Sequence, residues 1–206
     1  MTDRISVIVP CYNDAHNLPS LVKSIRTACS FSEIIVVDDG SQCPVKQSTD
    51  YKLIRQNNKG LGPARNTGVT HATSDLVFFC DCDIQLAPGI LDKLKNKLES
   101  TPGAVLAFGD FIWDRIKYAL GPYDYARLRV EPCISPMSLV RKSCLLDFRN
   151  IPYEDWDLWL RMLNPEKYPG RVAVYLPEMV FATRGRRLSK NLPQVRGTTE
   201  GVVINS

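Results

Sequence analysis

Short apolar runs alternate, over the first half of the chain, with segments in which apolar residues recur every three or four positions. The runs at residues 5–9, 33–37 and 75–80 have the length and composition of strands buried on both faces of a parallel sheet. Two more strands are predicted near residues 51–55 and 104–111. The first half of the chain therefore supplies five candidate strands.

The segments between these runs have the periodicity of amphipathic helices. A helix is predicted at about residues 16–29, with an apolar face formed by Leu18, Leu21, Val22 and Ile25. A second helix is predicted after Gly60 and Gly62, with Pro63 in its first turn, and a third begins at Pro88. This alternation is typical of a parallel sheet with helices on both faces.

The second half of the chain is less regular. Residues 112–140 predict a long connection or lid, with one strand near residues 138–141. A short tryptophan-bearing helix follows Pro152, and two late strands are predicted at 172–176 and 179–182, around Pro177. The predicted fold is a single α/β domain, with a mostly parallel sheet flanked by helices and a less regular C-terminal half.

Composition and charge exclude several classes of protein. Hydrophobic residues make up 44% of the 206 residues and charged residues 23%, which excludes disordered and fibrous chains. The net charge of +4 is too small to argue for binding to nucleic acid. One acid-free stretch could face phosphate or be a solvated tail, and its basic residues are Arg184, Arg186, Arg187, Lys190 and Arg196.

The seven cysteines include no Cys-x-x-Cys pair, and several lie in apolar runs, where free cysteine behaves as a small hydrophobe. A reduced, cytoplasmic compartment is therefore expected. The first ten residues lack the core of a signal peptide, and no run of 18 apolar residues predicts a transmembrane segment.

Two acids, Asp81 and Asp83, directly follow the apolar run that ends at Cys80. Ligands bind at the carboxyl ends of parallel strands. If the chain remains extended there, both carboxylates point the same way and Cys82 points to the opposite face. Such a pair can bind a divalent cation that also holds phosphate oxygens, although aspartates after a strand also form turns and helix caps.

Two other loops follow buried strands and are expected at the same edge of the sheet. In the loop at 10–14, Tyr12 could stack on a base, and Asp38 or Asp39 could accept a hydrogen bond from a base imide or a ribose hydroxyl. Together these loops could hold a nucleotide. The alternatives are a half-buried ring that covers a helix end for Tyr12 and a plain turn for residues 38–41.

Two further segments are ambiguous. Residues 57–66 combine glycines with cations but match neither the dinucleotide fingerprint nor the P-loop, which favours a helix entry over an anion-binding loop. Glu154 and Asp155 begin the tryptophan-bearing helix. Acids there could stabilise the helix dipole, or one of them could act as a general base at the rim of a crevice.

Taken together, these segments resemble the family-2 glycosyltransferases of the GT-A fold, inverting enzymes that move a sugar from a nucleotide donor. The resemblance covers about residues 4–190, with its motifs in matching order and spacing. They are Ser-Val-Ile-Val-Pro-Cys-Tyr-Asn at 6–13, Val-Val-Asp-Asp-Gly-Ser at 36–41, Asn-Lys-Gly at 58–60 with Ala-Arg-Asn at 64–66, Asp-Cys-Asp at 81–83 and Glu-Asp at 154–155.

The resemblance implies a nucleotide-sugar donor, most simply a UDP-sugar, and Mn²⁺ or Mg²⁺ as cofactor. The implied contacts to the base and ribose of the donor are Pro10, Tyr12, Asp14, Asp38 and Asp39. Arg65 would border the base pocket. Asp81 and Asp83 would hold the metal ion on the diphosphate, with Asp83 as the more direct ligand. Asp155 would be the catalytic base, and Glu154 would position acceptor or donor.

The resemblance also divides the single domain, residues 1–206, into a nucleotide-sugar half at about 1–110, an acceptor half at about 111–190 and a tail at 191–206. It implies transfer of one sugar to a glycan, lipid-linked or protein acceptor. One departure is that Arg186 stands where many members carry a histidine near the metal. Since a guanidinium cannot ligate a cation but can hold phosphate, Arg186 is expected to bind the diphosphate.

Two other functions are compatible with parts of this pattern. A nucleotide- or sugar-binding module could keep the fold and lack turnover, and the acids at 81, 83, 154 and 155 argue against it. A sugar-phosphate nucleotidylyltransferase would need a glycine-rich loop with an arginine directly after the first strand, and residues 10–13 contain neither.

Overall fold

The computed structural model describes residues 4–29 and 31–183, together with the backbone of residues 195–198 and 201–204. The strands are β1 (Ile5–Cys11), β2 (Ser32–Asp39), β3 (Lys52–Gln56), β4 (Leu76–Phe79), β5 (Ile84–Leu86), β6 (Ala104–Trp113), β7 (Ile116–Tyr118), β8 (Leu139–Arg141), β9 (Val172–Thr183), β10 (Val195–Thr198) and β11 (Gly201–Ile204). The α-helices are α1 (Leu18–Ala28), α2 (Leu61–His71), α3 (Ile90–Ser100), α4 (Tyr125–Leu128) and α5 (Glu154–Met162).

The main sheet has the strand order β3-β2-β1-β4-β8-β6-β9-β5, and β7 pairs with β6. Strands β3, β2, β1 and β4 are mutually parallel, as are β6 and β9. Strand β8 runs antiparallel between β4 and β6, so these two share a direction and their carboxyl ends lie at one edge. Most paired residues belong to parallel pairs, and the predicted α/β fold class is confirmed.

The sheet is covered on both faces, as its apolar runs predict. On β1, Ile5, Val7 and Val9 pack into one core with α1 and α3, whereas Ile8 faces a second core with α2 and α5. Because successive residues of a strand point to opposite faces, a strand between two helical layers must be apolar throughout. This packing explains why the runs at β1, β2 and β4 could be recognised from the sequence.

Helix α2 lies very close to the sheet. A Cβ atom added to Gly68 would be 2.2 Å from Cγ2 of Ile8, so the helix can approach β1 this closely only with glycine at that position. The N-cap of α2 is Gly60, whose φ of 97° is in the left-handed region that favours glycine. The segment that contains Gly60 and Gly62 is therefore the entry of a helix, as predicted.

The irregular half differs from the prediction in detail. The two late strands are one strand, β9, and Pro177 with Glu178 forms a bulge between the residues that pair with Gly109 and Asp110. Proline has no N–H for the ladder, so a bulge is a suitable place for Pro177. The short elements β5, β7 and α4 were not predicted. The predicted tail contains a hairpin of β10 and β11.

The state of the cysteines and the character of the helices bear on two of the sequence predictions. All seven cysteines are free thiols. Of the helices that the structure describes, none combines the length and the apolar character needed to cross a membrane.

Candidate active site

The loops that follow β1, β2 and β4 lie at one edge of the sheet and are fastened to each other. Asn13, whose φ is 56°, donates its backbone N–H to Oγ of Ser41 at 2.9 Å. Its own Oδ1 accepts the N–H of Gln42 at 2.8 Å. The thiol of Cys82 lies 3.4 Å from the carbonyl oxygen of Pro10. The three loops that were expected to converge therefore contact one another.

A cleft of about 200 Å³ opens between the β1 loop and the start of α2, lined by Pro10, Cys11, Tyr12, Asp39, Asn58, Gly60, Leu61 and Ala64. Tyr12 is 51% exposed at this cleft, so about half of its surface is accessible to a ligand. Asp14 does not line this cleft; its Oδ1 accepts from the amide of Asn17 at 2.9 Å and lies 3.5 Å from Nε2 of His16.

Asp38 is fully buried, and both of its carboxylate oxygens are engaged within the protein. Oδ1 accepts the N–H of Ser41 at 2.9 Å, and Oδ2 accepts the N–H of Val45 at 3.0 Å and Nη1 of Arg55 at 2.9 Å. Burial opposes ionisation, but these hydrogen bonds and the charge of Arg55 outweigh it, so the pKa of Asp38 is lowered. The structure places Asp38 beneath its loop and not on the surface of the cleft.

Asp39 takes the position at the cleft. Its Oδ1 accepts from Nε2 of Gln56 at 2.7 Å and from the N–H of Lys59 at 2.9 Å. Its Oδ2 accepts the N–H of Gly60 at 2.9 Å. Adjacent residues of a strand point to opposite faces, so only one of the two aspartates can line the cleft. The contacts also tie the entry of α2 to the end of β2.

The segment Asp81-Cys82-Asp83 turns and does not stay extended, because β4 ends at Phe79 and a turn precedes β5. Cys82 is nevertheless buried, whereas Asp81 and Asp83 are partly exposed. Burial, and after it the negative charges of Asp81 and Asp14, raises the pKa of Asp83. The condition of an extended chain is thus not met, but the two carboxylates still lie close enough to repel each other.

These residues fit a divalent cation that is shared with a substrate. The carboxylate of Asp83 and the Asp81 oxygen that does not bind Arg65 form a set of ligands of the kind that holds Mg²⁺ together with phosphate oxygens and water. Among the residues that the structure describes, no group of three or more His, Cys, Asp or Glu side chains is arranged to hold a metal ion. A cation here would need further oxygens from a bound diphosphate or from water.

Arg65 connects this acid pair to the acids of α5. Its side chain is 2% exposed, with Nη2 donating to Oδ1 of Asp81 at 3.0 Å and Nη1 to Oε1 of Glu154 at 2.7 Å. It does not line the cleft beside Tyr12, so its placement differs from the expectation that it borders the base pocket. The sequence-predicted metal ligands and catalytic acids are thereby brought to one place.

Asp155 begins α5 next to Glu154, after Tyr153 in a left-handed conformation with a φ of 57°. Burial raises the pKa of Asp155 to about 6, with Arg65 acting in the opposite direction and Glu154 adding to the rise. A carboxyl with this pKa is ionised at neutral pH and is more basic than an ordinary aspartate. This property suits a general base.

No local sequence pattern predicts the contact that holds the segment before α5. The side chain of Asn66 pairs with the backbone of Phe148, with Nδ2 donating to its carbonyl at 2.9 Å and Oδ1 accepting its N–H at 2.8 Å. The ring of Phe148 packs edge-on against Phe79 at 4.9 Å. An asparagine in the middle of a predicted helix was the only available signal. The predicted diphosphate ligand Arg186 lies outside the described residues.

Comparisons with known sequences identify similar proteins. The model of a family described as "Glycosyl transferase family 2" matches residues 6–160. A pre-mycofactocin glycosyltransferase of Mycobacterium tuberculosis (strain CDC 1551 / Oshkosh) is 39% identical over 98 residues, which cover 44% of this chain and 20% of that protein. The match thus spans a fifth of the length of this relative. An uncharacterized glycosyltransferase of Haemophilus influenzae is 24% identical over 90% of this chain and 71% of that protein.

Solved structures share the fold. S. aureus TarS 1-349 in complex with UDP-GlcNAc has a TM-score of 0.70 and 16% identity, over 94% of this chain and 62% of that one. Glucosyl-3-phosphoglycerate synthase from Mycobacterium tuberculosis, in complex with Mn²⁺, UDP and glucosyl-3-phosphoglycerate, has a TM-score of 0.63 and 17% identity, over 89% of this chain and 73% of that one. At these identities the likeness establishes a common fold.

Proposed function

Since the chain belongs to glycosyl transferase family 2, whose model matches residues 6–160, we propose that it is a metal-dependent inverting glycosyltransferase. It transfers one sugar from a UDP-sugar to an acceptor hydroxyl. The observation that carries the proposal is the convergence of two acid pairs on one buried arginine: Asp81 and Glu154 bind Arg65 directly, and Asp83 and Asp155 adjoin them.

The donor nucleotide binds in the cleft. In the proposal its base stacks on the exposed ring of Tyr12 and its polar edge reaches Asp39, while Asp38 supports the loop from beneath. Both structural neighbours described above bind UDP or a UDP-sugar, which supports uridine as the base. The diphosphate then extends toward Asp81 and Asp83.

Asp81 and Asp83 hold a divalent cation, for which Mn²⁺ is the first choice because the synthase neighbour binds it. A cation held there would supply positive charge to the departing diphosphate, which would make an acid for the leaving group unnecessary. The partial burial of both carboxylates strengthens their electrostatic interactions relative to those in bulk water.

Asp155 acts as the base in the transfer step. It removes the proton of an acceptor hydroxyl, and the hydroxyl oxygen forms a bond to the anomeric carbon on the face opposite the diphosphate. The bond from that carbon to the phosphate oxygen breaks, and its electron pair leaves with UDP. A carboxylate with a pKa of about 6 is ready for this role above pH 6. Glu154, fixed by Arg65, positions the reactants.

Donor binding is tested by thermal shift with UDP, GDP, CDP and dTDP, each with and without Mn²⁺. A ligand that binds only the native state raises the Tm by mass action. The proposal expects the largest rise with UDP and Mn²⁺ together, and expects Asp83→Ala to remove the contribution of Mn²⁺. Equal shifts for all four nucleotides would contradict uridine recognition, and equal metal dependence in Asp83→Ala would contradict the ligand role.

Turnover distinguishes an enzyme from a binding module. UDP release from a panel of UDP-sugars, with acceptors or water, should be measurable for the wild type. Asp155→Asn should retain donor binding and lose about 10²- to 10⁴-fold in rate. Asp157→Asn on the same helix is the matched control, because Asp157 pairs with Arg149 and Arg161 outside the cleft. Undiminished transfer by Asp155→Asn would exclude it as the base.

A further inference from the structure

Arg65 holds together two parts of the site that belong to different elements of the fold. Asp81 follows β4 and Glu154 begins α5, yet each gives a carboxylate oxygen to a separate nitrogen of the same guanidinium. The planar fork of arginine fixes the directions of both contacts, which a lysine ammonium cannot do. The relative position of the two acid pairs therefore depends on this side chain.

The guanidinium of Arg65 also packs against an aromatic ring. Its Cζ lies 5.3 Å from the centre of the Phe148 ring, and Phe148 is held by the two hydrogen bonds from Asn66 one position along α2. The guanidinium of Arg65 therefore packs against the ring of Phe148. Helix α2 supplies both Arg65 and Asn66, which holds Phe148 in place.

The arrangement is poorly suited to stability alone. Nε of Arg65 is buried and has no hydrogen-bond partner, and desolvation works against the buried charge, so the charge depends on the attraction of Asp81, Glu154 and Asp155, which outweighs that cost. Replacing a buried ion network by apolar residues is often neutral or stabilising, so such a network is weak grounds for a purely structural role. A buried arginine that leaves one donor unpaired and binds two acids from different elements is better explained by the geometry that it imposes.

We propose that Arg65 is a positioning residue, which sets the separation of the Asp81-Cys82-Asp83 turn from the N-terminus of α5, where Asp155 lies. The inference rests on the proposed function and assigns a role to a residue that does not touch substrate. The charged groups that act on Asp155 are Arg65 from α2 and Glu154 from its own helix. Of these two charged groups Arg65 favours the ionised form, as do hydrogen bonds from the backbone N–H groups of Trp156 and Asp155.

Two substitutions separate geometry from charge. Arg65→Lys keeps the charge but can satisfy only one acid well, so kcat should fall about 10²-fold, as expected for a small displacement of reacting groups, while KM for the donor changes little. Arg65→Met also removes the charge, so the acid limb of the kcat profile should move to a pH above that of the wild type. Arg141→Lys is the control, since the side chain of Arg141 donates to the backbone carbonyls of Leu98 and Ala104, which do not line the cleft.

A merely structural role gives a different result. Loss of folded protein would lower the apparent Vmax of both Arg65 variants in proportion to the active fraction and would leave the pH profile unchanged. That outcome, or a kcat for Arg65→Lys equal to that of the wild type, would overturn the proposal. If Arg65→Met does not fold, the double-mutant cycle of Arg65→Lys with Glu154→Gln tests the proposal instead. Positioning through the contact between these two residues predicts non-additive effects on kcat, and additive effects would refute it.

The test also separates this inference from the proposed function. A wild type that binds UDP but transfers no sugar would refute the proposed function. The same double-mutant cycle is then measured by urea unfolding, where coupling between Arg65 and Glu154 reports whether the arginine holds α5. Independent effects in that cycle would show that the contact does not position the helix.

Discussion

Asp155→Asn separates the charge of Asp155 from its shape, and its effect on stability can be worked out from the structure. Burial raises the pKa of Asp155 from 3.8 to about 6, with the opposing attraction of Arg65 already included. A carboxyl whose pKa is raised in the native state binds its proton more tightly there than in the unfolded chain. Its contribution to stability is present below pH 3.8 and is lost as the pH rises through 6.

The size of this loss follows from the two pKa values. One pKa unit corresponds to about 1.4 kcal/mol, so ionised Asp155 destabilises the native state at pH 8 on the order of 3 kcal/mol. Asparagine has a similar shape and cannot ionise. Asp155→Asn should therefore be more stable than the wild type at pH 8, with a Tm higher by roughly 6–12 °C for a chain of this length, and the difference should shrink below about 1 kcal/mol at pH 4.

Urea unfolding at pH 4 and pH 8, followed by tryptophan fluorescence, measures this effect for the wild type, Asp155→Asn and Asp157→Asn. The last variant should be less stable than the wild type at pH 8 by about 0.5–1 kcal/mol, because it loses pairs with Arg149 and Arg161. The two variants thus have opposite signs at pH 8. If Asp155→Asn were destabilised equally at both pH values, the carboxyl would not carry the uncompensated charge on which its role as a base depends.

Three further substitutions test the site and the packing that places it. Asn66→Leu removes both hydrogen bonds to the Phe148 backbone and should cost roughly 2–4 kcal/mol in urea unfolding, and an unchanged stability would mean that the pair does not anchor the segment before α5. Gly68→Ala brings a Cβ to 2.2 Å from Ile8 and should cost about 1–3 kcal/mol in the same assay, whereas a gain would contradict the close approach of α2 to β1. Tyr12→Ala should change the free energy of unfolding by less than about 0.5 kcal/mol, because the ring is exposed. The same substitution should weaken UDP binding measured by calorimetry, and an unchanged affinity would exclude stacking on this ring.

The sequence determined the elements whose pattern reflects burial over many residues. Strands β1, β2 and β4 were predicted because two helical layers cover them and leave no polar face. Helices α1 and α3 were predicted from their apolar stripes. The short elements β5, β7 and α4 are not marked by an apolar run as β4 is, and the strands β5 and β7 depend on pairing with β9 and β6.

Tertiary structure decided what each candidate side chain touches. The sequence could not say which of Asp38 and Asp39 lines the cleft, because that depends on which face of β2 turns toward α2. It also could not say that Arg65 joins Asp81 to Glu154, since Arg65 and Glu154 are 89 positions apart in the chain and no local spacing indicates their contact. Local patterns are set by burial along one element, whereas these contacts are set by the packing of several elements, and only the folded chain contains that information.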